Sequence, residues 1–195
     1  WQVGLIYIIM EGMQKHCRTN IMQYNFIGII KRAVCLAVIV TGFYYPSSGF
    51  SDTPTWNLET WEIPFDYSSP SRAITYQPLE TASRKWRICA SYPHLKDSYW
   101  LSVNYGMVEE ARRLGVALQV VEAGGYPNLQ RQIDQINTCS AVDTDILIVG
   151  TVSFNGLSET ILQISENIPV VSVVNDISDM GIAAKVGVSW TTMGQ

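Results

Sequence analysis

Residues 86–121, WRICASYPHLKDSYWLSVNYGMVEEARRLGVALQVV, hold one whole strand–helix–strand unit. Trp86 to Ser91 is a short apolar run of strand length. Asp97 is placed to cap a helix, because its carboxylate can accept from the open amides of the turn that follows. Trp100, Val103, Met107, Ala111 and Leu114 then recur at helical spacing, and Gly115 supplies the stop. Glu109 and Glu110 precede Arg112 and Arg113, the charge pattern of a solvated outer face. Val116 to Val121 reads as a second strand, with Ala123-Gly124-Gly125 as its exit turn.

The unit repeats downstream. Asn128 opens a second helix with Leu129, Ile133 and Ile136 on one face. Asp145 to Val149 (DILIV) is a continuous apolar run, as in a strand buried on both sides. Leu157 to Ile164 reads as a third helix, Pro169 to Val174 as a fourth strand, and Val186 to Val188 as a short fifth. Strands that alternate with helices in this way imply parallel crossovers in an α/β, doubly wound open sheet over residues 85–195.

Upstream, residues 52–84 carry Pro54, Pro64, Pro70 and Pro78 with no sustained period. They read as an extended arm that packs on the domain through Trp56, Trp61 and Phe65. Residues 22–51 have the order of a secretory signal: Lys31 and Arg32, an apolar run from Ala33 to Tyr45, then small residues before Asp52. That apolar run is shorter than the roughly 20 residues a membrane-spanning helix needs. Cleavage before Asp52 is expected, with no stable membrane insertion afterwards, and residues 1–21 read as upstream read-through.

Charge excludes some partners. The 195 residues carry 13 Lys and Arg against 17 Asp and Glu, a net charge of -4, and the acidic excess is larger after residue 51. No basic face is available for nucleic acid. Two histidines, His16 and His94, cannot build a multi-histidine metal site. Cys17 and Cys35 leave with the leader. Cys89 and Cys139 remain, as one disulfide in an oxidising compartment or as two buried thiols.

In a sheet of this class, ligands bind beyond the carboxyl ends of the strands. The residues there include Tyr92, Tyr99, Trp100, Tyr126, Phe154 and Asp176, with Trp190 near the end of the chain. The sequence lacks GxGxxG after the first strand, GxxxxGK[ST] and GxSxG. No cofactor and no catalysis are expected, and His94 reads as a solvated loop histidine. Rings around one mouth can hold a methylated ammonium group, stack on a sugar, or simply be core.

The run CASYPHLKDSYW, the following NYGM and EAGGY, and VGVSWTTMG at 186–194 resemble the TorT family of periplasmic trimethylamine N-oxide sensors, within the type I periplasmic binding proteins. The resemblance covers about residues 86–195. It implies two lobes closing over a ligand, of which this chain would hold the N-terminal one, the second being absent beyond Gln195. It implies trimethylamine N-oxide as ligand and the periplasmic sensor domain of a TorS-like histidine kinase as partner, together inducing the respiratory system for that oxide. Trp100, Tyr126 and Trp190 match the family's aromatic ligand contacts, and Tyr99 and Asp176 join them as rim candidates. Trp100→Ala in the full-length protein is then expected to weaken oxide binding by at least about tenfold with the fold intact. The alternative is a sugar- or autoinducer-binding periplasmic protein of an ABC transporter or another sensor.

Overall fold

The computed structural model describes residues 55–141 and 143–188. Its centre is a five-stranded parallel sheet of β3 (Arg87–Tyr92), β4 (Ala117–Glu122), β5 (Ile146–Val149), β6 (Val170–Val174) and β7 (Ile182–Gly187), in the order β4-β3-β5-β6-β7. Helices α1 (Ser98–Leu114), α2 (Leu129–Ser140) and α3 (Ser158–Ser165) make the crossovers.

Two-residue periodicity splits the core between the faces. Ile88, Ala90 and Tyr92 of β3, Ile146 and Ile148 of β5, and Val171 and Val173 of β6 join the buried stripe of α1. Cys89, Leu147, Val149 and Val170 join Ile136 of α2 and Ile161 of α3. Alternate residues of a strand point to opposite faces, so a strand covered on both must be apolar throughout, as β5 is.

The ends of α1 follow from single residues. Asp97 Oδ1 accepts from the Trp100 amide at 2.9 Å. Gly115 closes the helix at a φ of 66°, and its N–H donates to Arg112 O and Ala111 O. Arg112 pairs with Glu109 on the outer surface. Glu110 does not belong there: it is 2% exposed and receives Arg113 Nε and Nη2 at 2.9 and 2.6 Å. The solvated face expected for both glutamates is therefore half wrong. Arg113 also donates to the carbonyls of Leu79 and Glu80, so the segment leading into β3 covers Glu110.

The stretch before β3 holds a hairpin of its own. β1 (Trp56–Trp61) pairs antiparallel with β2 (Ser71–Tyr76), from Trp56 against Tyr76 to Trp61 against Ser71. Pro64 and Pro70 fall in the connecting loop and Pro78 beyond β2, where no ladder amide is needed. Asp66 organises the loop by accepting from the Ser68 hydroxyl and amide at 2.6 and 2.9 Å, bonds that lower its pKa. Phe65 packs against the α2-side core, while Leu79, Ala82 and Trp86 pack against the α1 side.

The fifth strand is longer than the sequence pattern indicates, beginning at Ile182 rather than Val186. Lys185 interrupts the apolar run, and its charge is met by Asp176 at 2.9 Å and Asp179 at 2.6 Å. Cys89 of β3 and Cys139 of α2 are joined as a disulfide across the sheet–helix interface.

Candidate functional site

The loops after β3 and β4 gather a cluster of rings at the carboxyl end of the sheet. The Trp100 ring centroid lies 5.5 Å from Tyr92, 6.0 Å from Tyr99 and 6.5 Å from His94. His94 also meets Tyr126 edge-on at 5.5 Å. His94 is no solvated loop residue: its side chain is 11% exposed, with Nε2 3.7 Å from Asp97. Asp97 thus serves both the cap of α1 and the histidine.

The members differ in exposure. Trp100 is 2% exposed and belongs to the core, whereas Tyr126 is 47% exposed. Trp100 sits in the first turn of α1, where the helical stripe that buries Val103 and Met107 also turns it inward. It is the base of the cluster rather than a loop residue on its rim. Tyr99 is half-buried, and desolvation, then the neighbouring Tyr126, raise its phenol pKa. Burial raises Tyr92 further, and its hydroxyl donates to Met107 Sδ at 3.0 Å. These phenols stay neutral donors at physiological pH.

The loops that carry the rings are tied to one another. Gly125 N–H donates to Pro93 O at 2.8 Å, and Lys96 Nζ donates to Gly124 O at 2.6 Å. Gly124 and Gly125 take φ of 83° and 140°, values that glycine reaches without a Cβ clash. Tyr126 follows directly.

Two residues not singled out in the sequence organise the floor. Gln132 of α2 is wholly buried; its Nε2 donates to Gly150 O at 2.9 Å and Ser91 Oγ at 3.2 Å, and its Oε1 accepts from Val152 N–H at 2.9 Å. It therefore ties the ends of β3 and β5 together. The signal was present, since Gln132 lies one turn before Ile136 on the apolar stripe of α2 and is polar. Asn175 is the second. Its Nδ2 donates to Thr151 O at 2.7 Å and to Tyr126 Oη at 3.3 Å. Val174 before it has a φ of 67°, and Asn175 N–H returns to Val173 O at 2.8 Å. A β-branched residue held there costs about 1–3 kcal/mol, strain of a kind that collects at binding sites.

Asp176 has a different task. Its Oδ1 accepts from Ile177 N–H and from Lys185 Nζ, both at 2.9 Å. Lys185 also donates to Ile177 O and lies 5.4 Å from the Phe65 ring centroid. Burial opposes the Lys185 charge, but the carboxylates of Asp179 and Asp176 outweigh it and raise the pKa. Asp176 thus ties the loop after β6 to β7, whose Lys185 faces Phe65 of the hairpin loop. Trp190 lies outside the described residues, as do the expected leader at 22–51 and residues 1–21.

Among the described residues no cluster of histidine, cysteine and carboxylate side chains could hold a metal, and no helix is long and apolar enough to cross a membrane. A groove of about 300 Å³ between β4 and α2, lined by Gln119, Arg131 and Gln135, contains none of the clustered rings. The strand-end rings, with the exposed Tyr126 hydroxyl and the fixed Asn175 amide, are suited to holding a small molecule by ring faces and a few hydrogen bonds.

Residues 88–195 match the model of the periplasmic binding protein domain. The chain belongs to the periplasmic binding protein family. Its sheet and crossovers are those of the type I fold within it. Among periplasmic binding proteins it is similar to periplasmic protein TorT of Escherichia coli O157:H7, with 47% identity over 119 residues. That match covers 60% of this chain and 33% of TorT, so the chain spans about a third of the length of its curated relatives. A solute-binding protein of an ABC transporter from Bradyrhizobium sp. BTAi1, solved with bis-tris bound, is 47% identical with a TM-score of 0.69, covering 71% of this chain and 42% of that one. The complex of TorT with the TorS sensor domain, without ligand, matches at 46% identity and a TM-score of 0.52, covering 56% of this chain and 39% of that one. The same complex has been solved in the presence of trimethylamine N-oxide, with matching identity and TM-score over 56% of this chain and 38% of that one.

Proposed function

We propose that this chain is part of a periplasmic sensor that binds trimethylamine N-oxide and signals through the sensor domain of a TorS-like histidine kinase, inducing the respiratory system for that oxide. The observation that carries the reading is a ring cluster at the strand ends in a chain 47% identical to TorT over 119 residues. The oxide presents three methyl groups and one oxygen on a positive nitrogen. Ring faces attract such a nitrogen while methyls pack against carbon, and the oxygen wants a hydrogen-bond donor. Tyr126 supplies an exposed ring with a hydroxyl, Tyr99 and His94 flank it, and Trp100 supports them from below. The family resemblance adds Trp190 to the proposed ligand contacts. Bis-tris, held by the similar Bradyrhizobium protein, also has a nitrogen with three carbon substituents and oxygens close by. Both place three carbon substituents on one nitrogen, although bis-tris is in addition a polyol. Export by a cleaved leader at 22–51 completes this reading, with the chain as a binding protein rather than an enzyme.

A second reading is a solute-binding component of an ABC transporter, for a sugar or an autoinducer. The higher TM-score of the Bradyrhizobium solute-binding protein favours it. A sugar needs partners for several hydroxyls, however, and the described cluster offers mostly rings.

Calorimetric titration of the intact protein with trimethylamine N-oxide and with ribose, each with and without the kinase sensor domain, separates the two. Oxide binding that tightens with the partner supports the sensor. Ribose binding with no response to the oxide supports the transporter component. Flat oxide titrations in both arrangements, with folding confirmed by circular dichroism, overturn the proposal.

A further inference from the structure

We propose that Asn175 sets the polarity of the Tyr126 hydroxyl, so that this hydroxyl meets the ligand as a hydrogen-bond donor. The inference rests on the reading of the site as a receptor for a small amine oxide, and it assigns how the oxygen is recognised. Thr151 fixes the orientation of the Asn175 amide. Its carbonyl oxygen lies 2.7 Å from Asn175 Nδ2 and can only accept, so the amide nitrogen rather than Oδ1 must face it. An amide nitrogen carries two hydrogens. The second is directed to Tyr126 Oη at 3.3 Å, which therefore acts as acceptor.

A phenol that accepts still has its own proton to give. The Tyr126 hydroxyl donates to no described residue, and the side chain is 47% exposed at the mouth of the cluster. An oxygen bearing negative charge is the partner that proton takes best. Asn175 is held to this task from behind by the positive φ of Val174 and the return bond to Val173. The pair thus selects an oxide over a quaternary ammonium of the same size, which offers no acceptor. Asn175 is a positioning residue, and Tyr126 makes the contact.

The test titrates trimethylamine N-oxide and tetramethylammonium into the intact protein and into its Asn175→Asp, Asn175→Ala and Tyr126→Phe variants. In Asn175→Asp the carboxylate captures the Tyr126 proton. Oxide affinity should fall by about tenfold or more, while tetramethylammonium affinity should not fall. Tyr126→Phe should show the same oxide loss, and adding Asn175→Asp to it should change little further. Asn175→Ala, which frees the hydroxyl without capturing it, should lose less than Asn175→Asp. Equal losses for both ligands would reduce Asn175 to a structural part, and unchanged oxide binding in Asn175→Asp would overturn the proposal outright. Should the unaltered protein bind neither ligand, the parent reading falls instead. The side-chain amide resonances of Asn175 then decide separately: a shift on Tyr126→Phe sustains the pairing, and no shift overturns it.

Discussion

The Trp100 indole occupies the space that a side chain at Gly150 would need: a Cβ on that glycine would stand 2.8 Å from Cζ3 and closer still to Cη2. The first turn of α1 and the end of β5 are thus fitted to each other, and the fit supports the whole ring cluster. Gly150→Ala must push the ring or the loop aside. Overpacking of this kind costs about 1–3 kcal/mol. A lower urea midpoint together with altered tryptophan emission is the expected outcome, and an unchanged midpoint would show that the ring has room.

The same contact changes what Trp100→Ala can report. Read from the sequence, this substitution should affect ligand affinity and leave the fold intact. Trp100 is 2% exposed in the core, so removing it should cost about 3–5 kcal/mol through the cavity left behind. Thermal unfolding should show a large drop in Tm before any ligand is added. A Tm near that of the unaltered protein would mean that the ring contributes little to packing.

Glu110 and Arg113 yield an asymmetric prediction. The side chain of Glu110 is 2% exposed and that of Arg113 40%. Arg113→Ala leaves a buried carboxylate without its partner, a loss of about 3 kcal/mol. Glu110→Ala leaves an arginine that still reaches Leu79 O, Glu80 O and water, and should cost less. Chemical denaturation of the two variants gives the order directly, and equal or reversed losses would contradict it.

The elements from β3 to β6 were legible because each signal was local and uncontested: Asp97 and Gly115 bracket α1, and four apolar residues in a row make β5. Tertiary partners hid the rest. Glu110 reads as a surface residue until Arg113 and the chain at Leu79 cover it, and the fifth strand was read only from Val186, past Lys185, whose charge Asp176 and Asp179 receive. The hairpin was obscured by prolines that sit in its loop, outside the ladder. At the site the ring types were readable, but their exposure was not. Trp100 was read both on the helical stripe and among the strand-end rings, and the stripe decides its burial, while Tyr126, after two turn glycines, stays exposed. Asn175 gave no signal, since its role comes from Thr151 and Tyr126, both distant in sequence.

The disulfide fixes α2 to β3 across a sequence separation of 50 residues. In the chain-entropy account, a loop of that size contributes about 4 kcal/mol by restricting the unfolded chain. Cys139→Ser should therefore lower the urea midpoint clearly, and a reducing agent should have little further effect on that variant. If reduction leaves the unaltered protein as stable as before, the bond contributes nothing measurable.

Stability at alkaline pH takes its sign from two residues, Lys185 and Tyr92. The Lys185 pKa is raised above 10.5, since its carboxylate partners outweigh burial, and that of Tyr92 is raised above 10.0 by burial. In each case the folded state holds the proton more tightly than the unfolded chain. The associated stability is fully present below the unfolded pKa and is lost as pH rises through the folded one. Denaturation midpoints should be level with respect to these two groups up to about pH 10 and fall beyond it. Tyr92→Phe and Lys185→Met should each flatten that decline, Tyr92→Phe without disturbing the ion pairs around Asp176. A decline of unchanged steepness in both variants would place its source elsewhere.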